Sequence, residues 1–172
     1  MQRVVGACLI MAACAAMGAG KSRAVSRELF ELRVLLQMTI LLKGEIGSQG
    51  MGLYEAFREI SSRLQDPYSA FLTLAASKMK EKRAVSLGEI FAECEKETLQ
   101  ESFLGREERQ RLLELGSCLG YLDRKMQLRQ LELYEKELEY SIEVLREEMP
   151  RKKKMYQGLG ILGGFMIIVL IW

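Results

Sequence analysis

Residues 123–149 read DRKMQLRQLELYEKELEYSIEVLREEM, and this stretch decides the fold. Leu128, Leu131, Leu138, Ile142, Leu145 and Met149 recur at intervals of three, four or seven, with charged residues between them. That period belongs to a helix with one buried stripe, and Glu135 interrupts the seam. The acidic run Glu132, Glu135, Glu137, Glu139 and Glu143 then reads as a solvated face, with a partner surface as the alternative. Pro150 follows; a proline lacks an amide donor and crowds the preceding turn, so it is predicted to bend or break the helix there.

Working outward, the same period continues upstream. Residues 107–122 place Leu112, Leu115, Leu119 and Leu122 on one stripe, and Gly116 and Gly120 lie four apart, a notch where another backbone comes close. Ser86-Leu87-Gly88-Glu89 is a capping-box sequence and predicts a helix reaching about Phe103. Asp66-Pro67 predicts a capped start for a helix over 68–82. Leu53, Ala56, Phe57, Ile60 and Leu64 share one face of a helix over 53–64. The first bundle helix, over 26–46, carries Leu29, Leu32, Leu36 and Ile40, and three glycines among residues 47–52 end it. No stretch alternates with period two over a useful length, so the expected class is all-α, a bundle of about six helices.

Both ends of the chain are apolar. Residues 4–20 and 155–172 contain no charged side chain. As helices they would span roughly 25–27 Å at 1.5 Å per residue, enough for a hydrocarbon core of about 30 Å with flanking residues reaching outward. The expected organisation is therefore a transmembrane helix over 1–20, a helical bundle over 21–154 and a second transmembrane helix over 155–172. Lys21, Arg23 and Arg27 flank the first run; Arg151, Lys152, Lys153 and Lys154 flank the second. Basic flanks stay on the cytoplasmic side, so these seven residues read as membrane-boundary anchors, and the bundle between them as cytoplasmic. The rival reading is an exported or lipid-anchored helical scaffold. Residues 1–20 offer a short basic region and an apolar core, and Met11-Ala12-Ala13-Cys14 resembles a lipoprotein processing site with Met11 in place of leucine. Export would leave the Arg151–Lys154 cluster outside, against that charge bias.

Little chemistry is on offer. The 172 residues include no histidine, which removes the commonest general base and metal ligand. Cys8, Cys14, Cys94 and Cys118 have no metal-ligand spacing and read as reduced, small apolar side chains. The net charge of +2 is split: residues 21–85 hold 11 basic and 7 acidic side chains, residues 86–150 hold 9 and 16. No extended basic face is left for phosphates, which argues against nucleic acid. Gly18-Ala19-Gly20-Lys21-Ser22 looks like half of a phosphate-binding loop, but Ala15 stands where the pattern needs glycine and no β-rich stretch precedes it. No carboxylate pair is singled out by spacing, and no base is present to activate a serine. No cofactor, no metal and no enzyme are expected.

Two stretches carry a family likeness. Leu115-Gly116-Ser117-Cys118-Leu119-Gly120-Tyr121-Leu122-Asp123 with Gln127, and Lys154-Met155-Tyr156-Gln157-Gly158-Leu159-Gly160 entering the C-terminal apolar run, resemble the stage III sporulation protein AB family of endospore-forming bacteria. The likeness extends over the first apolar run, Glu45-Ile46 and Leu53 with Glu55-Ala56; Met51-Gly52 departs from the threonine-proline start of the family's second helix. The resemblance implies a component of the channel complex between mother cell and forespore, seated in the mother-cell membrane. It also implies a central domain similar to the cytoplasmic domain of type II secretion and type IV pilus platform proteins, working with other membrane subunits and with a cytoplasmic ATPase encoded beside it. Gly116 and Gly120, with Asp123 and Gln127, are the candidates for helix packing inside the domain or with a copy of the chain in a homo-oligomer. Gly160 and Gly164 lie on one side of the second apolar run as a candidate helix-contact face.

Overall fold

The computed structural model describes residues 2–81 and 85–171, with side chains described throughout except at 2–19, 21–22, 49, 153, 156–157, 159–161 and 163–171. Six helices account for nearly all of it: α1 Gln2–Gly44, α2 Leu53–Ser61, α3 Tyr68–Glu81, α4 Leu87–Thr98, α5 Arg106–Leu119 and α6 Arg124–Ile171. There is no strand among the described residues. The chain divides into two compact units, Met1–Leu29 with Glu143–Trp172, and Phe30–Ile142.

In the unit Phe30–Ile142 the buried positions repeat at helical spacing. Leu32, Leu35, Met38, Leu42 and Ile46 are buried on α1 and the turn after it, and Ala56, Phe57 and Ile60 on α2. Phe71, Leu72, Ala75 and Ala76 do the same on α3, and Leu112, Leu115 and Leu119 on α5. Leu131, Tyr134 and Leu138 are the buried stripe of α6. Phe91 of α4 stands between two rings, 5.8 Å from Phe57 and 5.0 Å from Phe71, the latter edge-on. Such tilted pairs satisfy the ring quadrupoles while filling volume. Not every apolar position follows the pattern: Ile40, assigned to the buried face of the first bundle helix, is exposed. The inward stripe is set instead by Glu31, Met38 and Glu45, seven apart and all buried.

Local chemistry explains most of the boundaries. The Ser86 hydroxyl accepts the Glu89 amide at 3.2 Å and starts α4. The first amides of α3 are taken by a carbonyl rather than by a side-chain cap, since the amides of Tyr68 and Ser69 both donate to Gln65 O. After Gly44 the backbone widens into a π-type turn over Glu45–Gln49, closed by Gly50 at φ 69°, a left-handed conformation that favours glycine. The last carbonyls there are met by the Arg124 guanidinium, whose Nε donates to Ile46 O at 2.8 Å and Nη2 to Gly47 O at 2.7 Å. A cation at a helix C-terminus answers both the unpaired carbonyls and the dipole. Across the same unit the Lys43 ammonium of α1 donates to the Glu135 carboxylate of α6.

Two expectations need correction. The helix after Ser86 ends at Thr98 instead of reaching Phe103, because residues 99–105 form a loop whose backbone is held by side chains described below. Pro150 neither breaks nor ends α6, which continues to Ile171. Proline there deprives the Arg146 carbonyl of its helical donor, but both residues are exposed, so water can take that place. The helices α1 and α6 run through residues 20 and 154.

In the other unit, Val25, Leu29 and Leu145 are buried, and Lys152 pairs with Glu148 at 2.7 Å one turn away. Among the described residues no helix is long and apolar enough to cross a membrane. The side chains of the two apolar runs lie almost wholly outside the described residues.

Candidate interaction surfaces

The motif that carried the family likeness is a junction of three helices. Gly116 is buried on α5, and a Cβ there would come within 3 Å of the Phe91 ring of α4. Gly88 of α4 lies over Ser117 of α5 closely enough that a Cβ would overlap its hydroxyl. Gly120, just past the end of α5, leaves a Cβ only 2.9 Å from Leu87 Cβ. The notch is thus filled from inside the domain by α4. Asp123 and Gln127 then fix the turn into α6: Asp123 Oδ1 accepts the Met126 amide at 2.8 Å, and Gln127 Nε2 donates back to Leu119 O at 2.9 Å. One caps α6 and the other satisfies a terminal carbonyl of α5.

The remaining candidates lie elsewhere. Arg23 and Arg27 are exposed on α1, Arg151 and Lys154 on α6, and Lys152 is half-buried against Glu148. Lys21, Lys153, Gly160 and Gly164 lie outside the residues whose side chains are described, as do Cys8 and Cys14. Cys94 and Cys118 form no disulfide.

Two buried carboxylates escaped the sequence analysis. Glu31 of α1 accepts three bonds: from Tyr68 OH at 3.0 Å, from the Ser102 hydroxyl, and from the Phe103 amide at 2.9 Å. It thereby joins α1, α3 and the α4–α5 loop. Arg109 of α5 closes that loop from the other side, donating to Ser102 O at 2.9 Å, Leu104 O at 3.1 Å and Glu95 Oε1 at 2.6 Å. Glu45 is bridged by Arg63 Nη1 at 3.2 Å, while its Oε2 has no partner among the described residues. The signal for both was available: Glu31 and Glu45 sit seven residues either side of Met38, on the inward stripe of α1.

Electrostatics follow burial. Desolvation, then the nearby Glu31 carboxylate, hold the Tyr68 phenol well above its ordinary range. Tyr134 is raised by burial first and by Glu108 and Glu137 next, and its hydroxyl is unpartnered among the described residues. Hydrogen bonds to Glu97 and Glu93 raise Lys78, which bridges from α3 to α4. At the α5–α6 turn the Cys118 sulfur, 4.0 Å away, raises the exposed Tyr121. Among the described residues no cluster of three or more Cys, Asp or Glu could hold a metal ion.

Comparison with known proteins adds two findings. The family described as stage III sporulation protein AB matches residues 3–172. A solved structure titled stage III sporulation protein AB is similar at a TM-score of 0.63 and 22% identity, covering 72% of this chain and 96% of that one. At that identity the structural likeness speaks for the fold. No curated protein sequence matches the chain.

Proposed function

The chain belongs to the stage III sporulation protein AB family, and from that premise we propose that it is a non-enzymatic membrane platform of the mother cell–forespore channel complex. In this reading both apolar ends are seated in the mother-cell membrane, the outer membrane around the forespore. The bundle stands in the cytoplasm, contacts other membrane subunits, and transmits the work of the cytoplasmic ATPase to them without binding nucleotide itself. The observation that carries it is the span of the family match, which takes in both apolar runs as well as the bundle. The bundle's character supports it. The buried Glu31 joins α1, α3 and the α4–α5 loop, and the residues of the family motif are spent on the α4–α5–α6 junction.

The test is accessibility in sporulating cells. A cysteine placed at the exposed Glu101, in a full-length chain whose own cysteines are replaced, should resist a membrane-impermeant maleimide until the cells are permeabilised. Rapid labelling of intact cells would place the bundle outside and favour the exported or lipid-anchored scaffold. The coupling claim is separate: the neighbouring ATPase should co-purify with the full-length chain from sporulating cells, and failure to do so in cross-linked membranes removes it.

A further inference from the structure

Most exposed apolar side chains of the unit Phe30–Ile142 stand singly, as on any protein surface. One set does not. Met126, Leu133 and Tyr140 of α6 are 45%, 48% and 69% exposed and follow each other at seven-residue intervals. At about 100° per residue they stay within roughly 20° of Leu133 on either side, so they form one ridge along the outside of the helix. The flanks of that ridge differ in kind. Arg129 and Lys136 lie about 40° and 60° to one side of Leu133, and Glu137 and Gln130 about 40° and 60° to the other. One flank is basic; the other is acidic and amide.

We infer that this ridge is a contact face for a second copy of the chain, with the two α6 helices running parallel about a two-fold axis. In a parallel pair the basic flank of each helix meets the opposite flank of its partner. Lys136 then faces Glu137 of the other copy twice over, and Arg129 faces Gln130, while Met126, Leu133 and Tyr140 meet their own counterparts. An antiparallel pair would set Arg129 and Lys136 against their own kind. Among the described residues Lys136 is engaged only by the exposed Glu132 at 3.5 Å, a pair weak enough to exchange partners. The ridge buries far less than the ~800 Å² per partner of a stable soluble dimer, so the contact is weak unless the copies are held together. This last step rests on the membrane reading proposed above: copies anchored through the same end of α6 enter one bilayer with their α6 helices already parallel.

The test uses the full-length chain in cell membranes, with Cys8, Cys14, Cys94 and Cys118 replaced by alanine. Met126→Cys and Tyr140→Cys, each alone, should give disulfide-linked dimers on mild oxidation, and Glu139→Cys, about 120° off the ridge, should not. Absence of dimers at 126 and 140, or equal yield at 139, overturns the pairing. Linkage seen only between a 126 chain and a 140 chain makes the pair antiparallel and overturns it too. Within the Tyr140→Cys chain, Lys136→Glu and Glu137→Lys should each lower dimer yield roughly three- to tenfold, and the two together should restore it. Both positions are exposed, so the fold tolerates the swaps; a double variant no better than the singles refutes the charge assignment. Carbonate extraction of the same membranes keeps the two ideas apart. A chain that washes off sinks the membrane reading, whereas a chain that stays and forms no dimer sinks the pairing alone.

Discussion

Gly116→Ala adds a single methyl group where there is no room for it. The new Cβ would lie 3.0 Å from Phe91 Cβ and closer still to its ring. Phe91 has nowhere to go, because Phe57 and Phe71 hold it on other sides with centroids 5.8 and 5.0 Å away. Overpacking of this kind costs about 1–3 kcal/mol. Alanine in place of glycine inside a helix returns about 0.5–1 kcal/mol of backbone entropy. The net expectation is a loss of about 0.5–2 kcal/mol, measured by urea unfolding of the full-length chain in detergent micelles and followed by far-UV circular dichroism. The decisive arm is a second background. Phe91→Ala removes the ring at a cost of about 3–5 kcal/mol, and in that background the Gly116→Ala methyl should cost less than about 0.5 kcal/mol, since only the 3.0 Å approach to the remaining Cβ is left. The size of one substitution's effect thus turns on a residue in another helix. Equal destabilisation in both backgrounds, or no loss in the native one, would refute the account of the notch.

Tyr134→Phe removes a buried hydroxyl that has no partner among the described residues, so stability should hold or rise by about 0–1 kcal/mol in the same unfolding assay. Gly50→Ala should cost about 1–2 kcal/mol, since φ 69° disfavours a side chain and the Arg124 guanidinium sits 3.1 Å from the position the methyl would take. At alkaline pH the buried phenols of Tyr68 and Tyr134 keep their protons in the fold after the unfolded chain has lost its own near pH 10. Stability is therefore complete below about pH 10 and falls above it, by about 1.4 kcal/mol per pH unit for each phenol. Unfolding midpoints between roughly pH 9 and 11 should fall more steeply for the native chain than for a Tyr68→Phe/Tyr134→Phe variant, and parallel slopes would contradict the assignment.

How much of this was legible beforehand depended on whether a feature is local. Ser86 at the start of α4 and Gly50 after α1 act on amides and torsions within a few residues, and their types announce them. The stripes Leu112–Leu115–Leu119 and Leu131–Leu138–Leu145 are periodic, so they too could be read in one dimension. What failed was competition between a local rule and its surroundings. Pro150 obeys its usual chemistry, but an exposed orphan carbonyl is cheap enough for a long helix to absorb. The α4–α5 loop replaces a predicted helical end because Glu31, 72 residues upstream of Phe103, and Arg109 supply the bonds that its backbone forgoes. Partners so far apart leave no mark in a periodicity. Glu31 and Glu45 were overlooked for a simpler reason: a carboxylate on an apolar stripe reads as an interruption until its donors are known.

The family motif itself shows why recognising a chain and locating its working surface are different problems. Its glycines admit α4 against α5, Asp123 starts α6, and Gln127 ties that start to the end of α5. Gly116 is buried and cannot also meet a partner, and the bonds made by Asp123 and Gln127 stay inside the domain. They can, however, decide which residues do, because a helix anchored at Asp123 has every later side chain set in azimuth by the 100° step. Shifting the start of α6 by one residue would turn the Leu133 ridge inward and bring Leu131 and Tyr134 toward solvent, at a cost of several buried side chains of about 1.5–3 kcal/mol each. The junction therefore acts on the surface through register. A variant that loosens it without unfolding the chain, such as Gln127→Ala, should lower the dimer yield at position 140 while costing the bundle no more than about 1 kcal/mol, the worth of one hydrogen bond. Cross-linking at position 140 and urea unfolding measure the two separately, and a lower unfolding midpoint with an unchanged yield at 140 would mean that the junction holds the bundle together without steering α6.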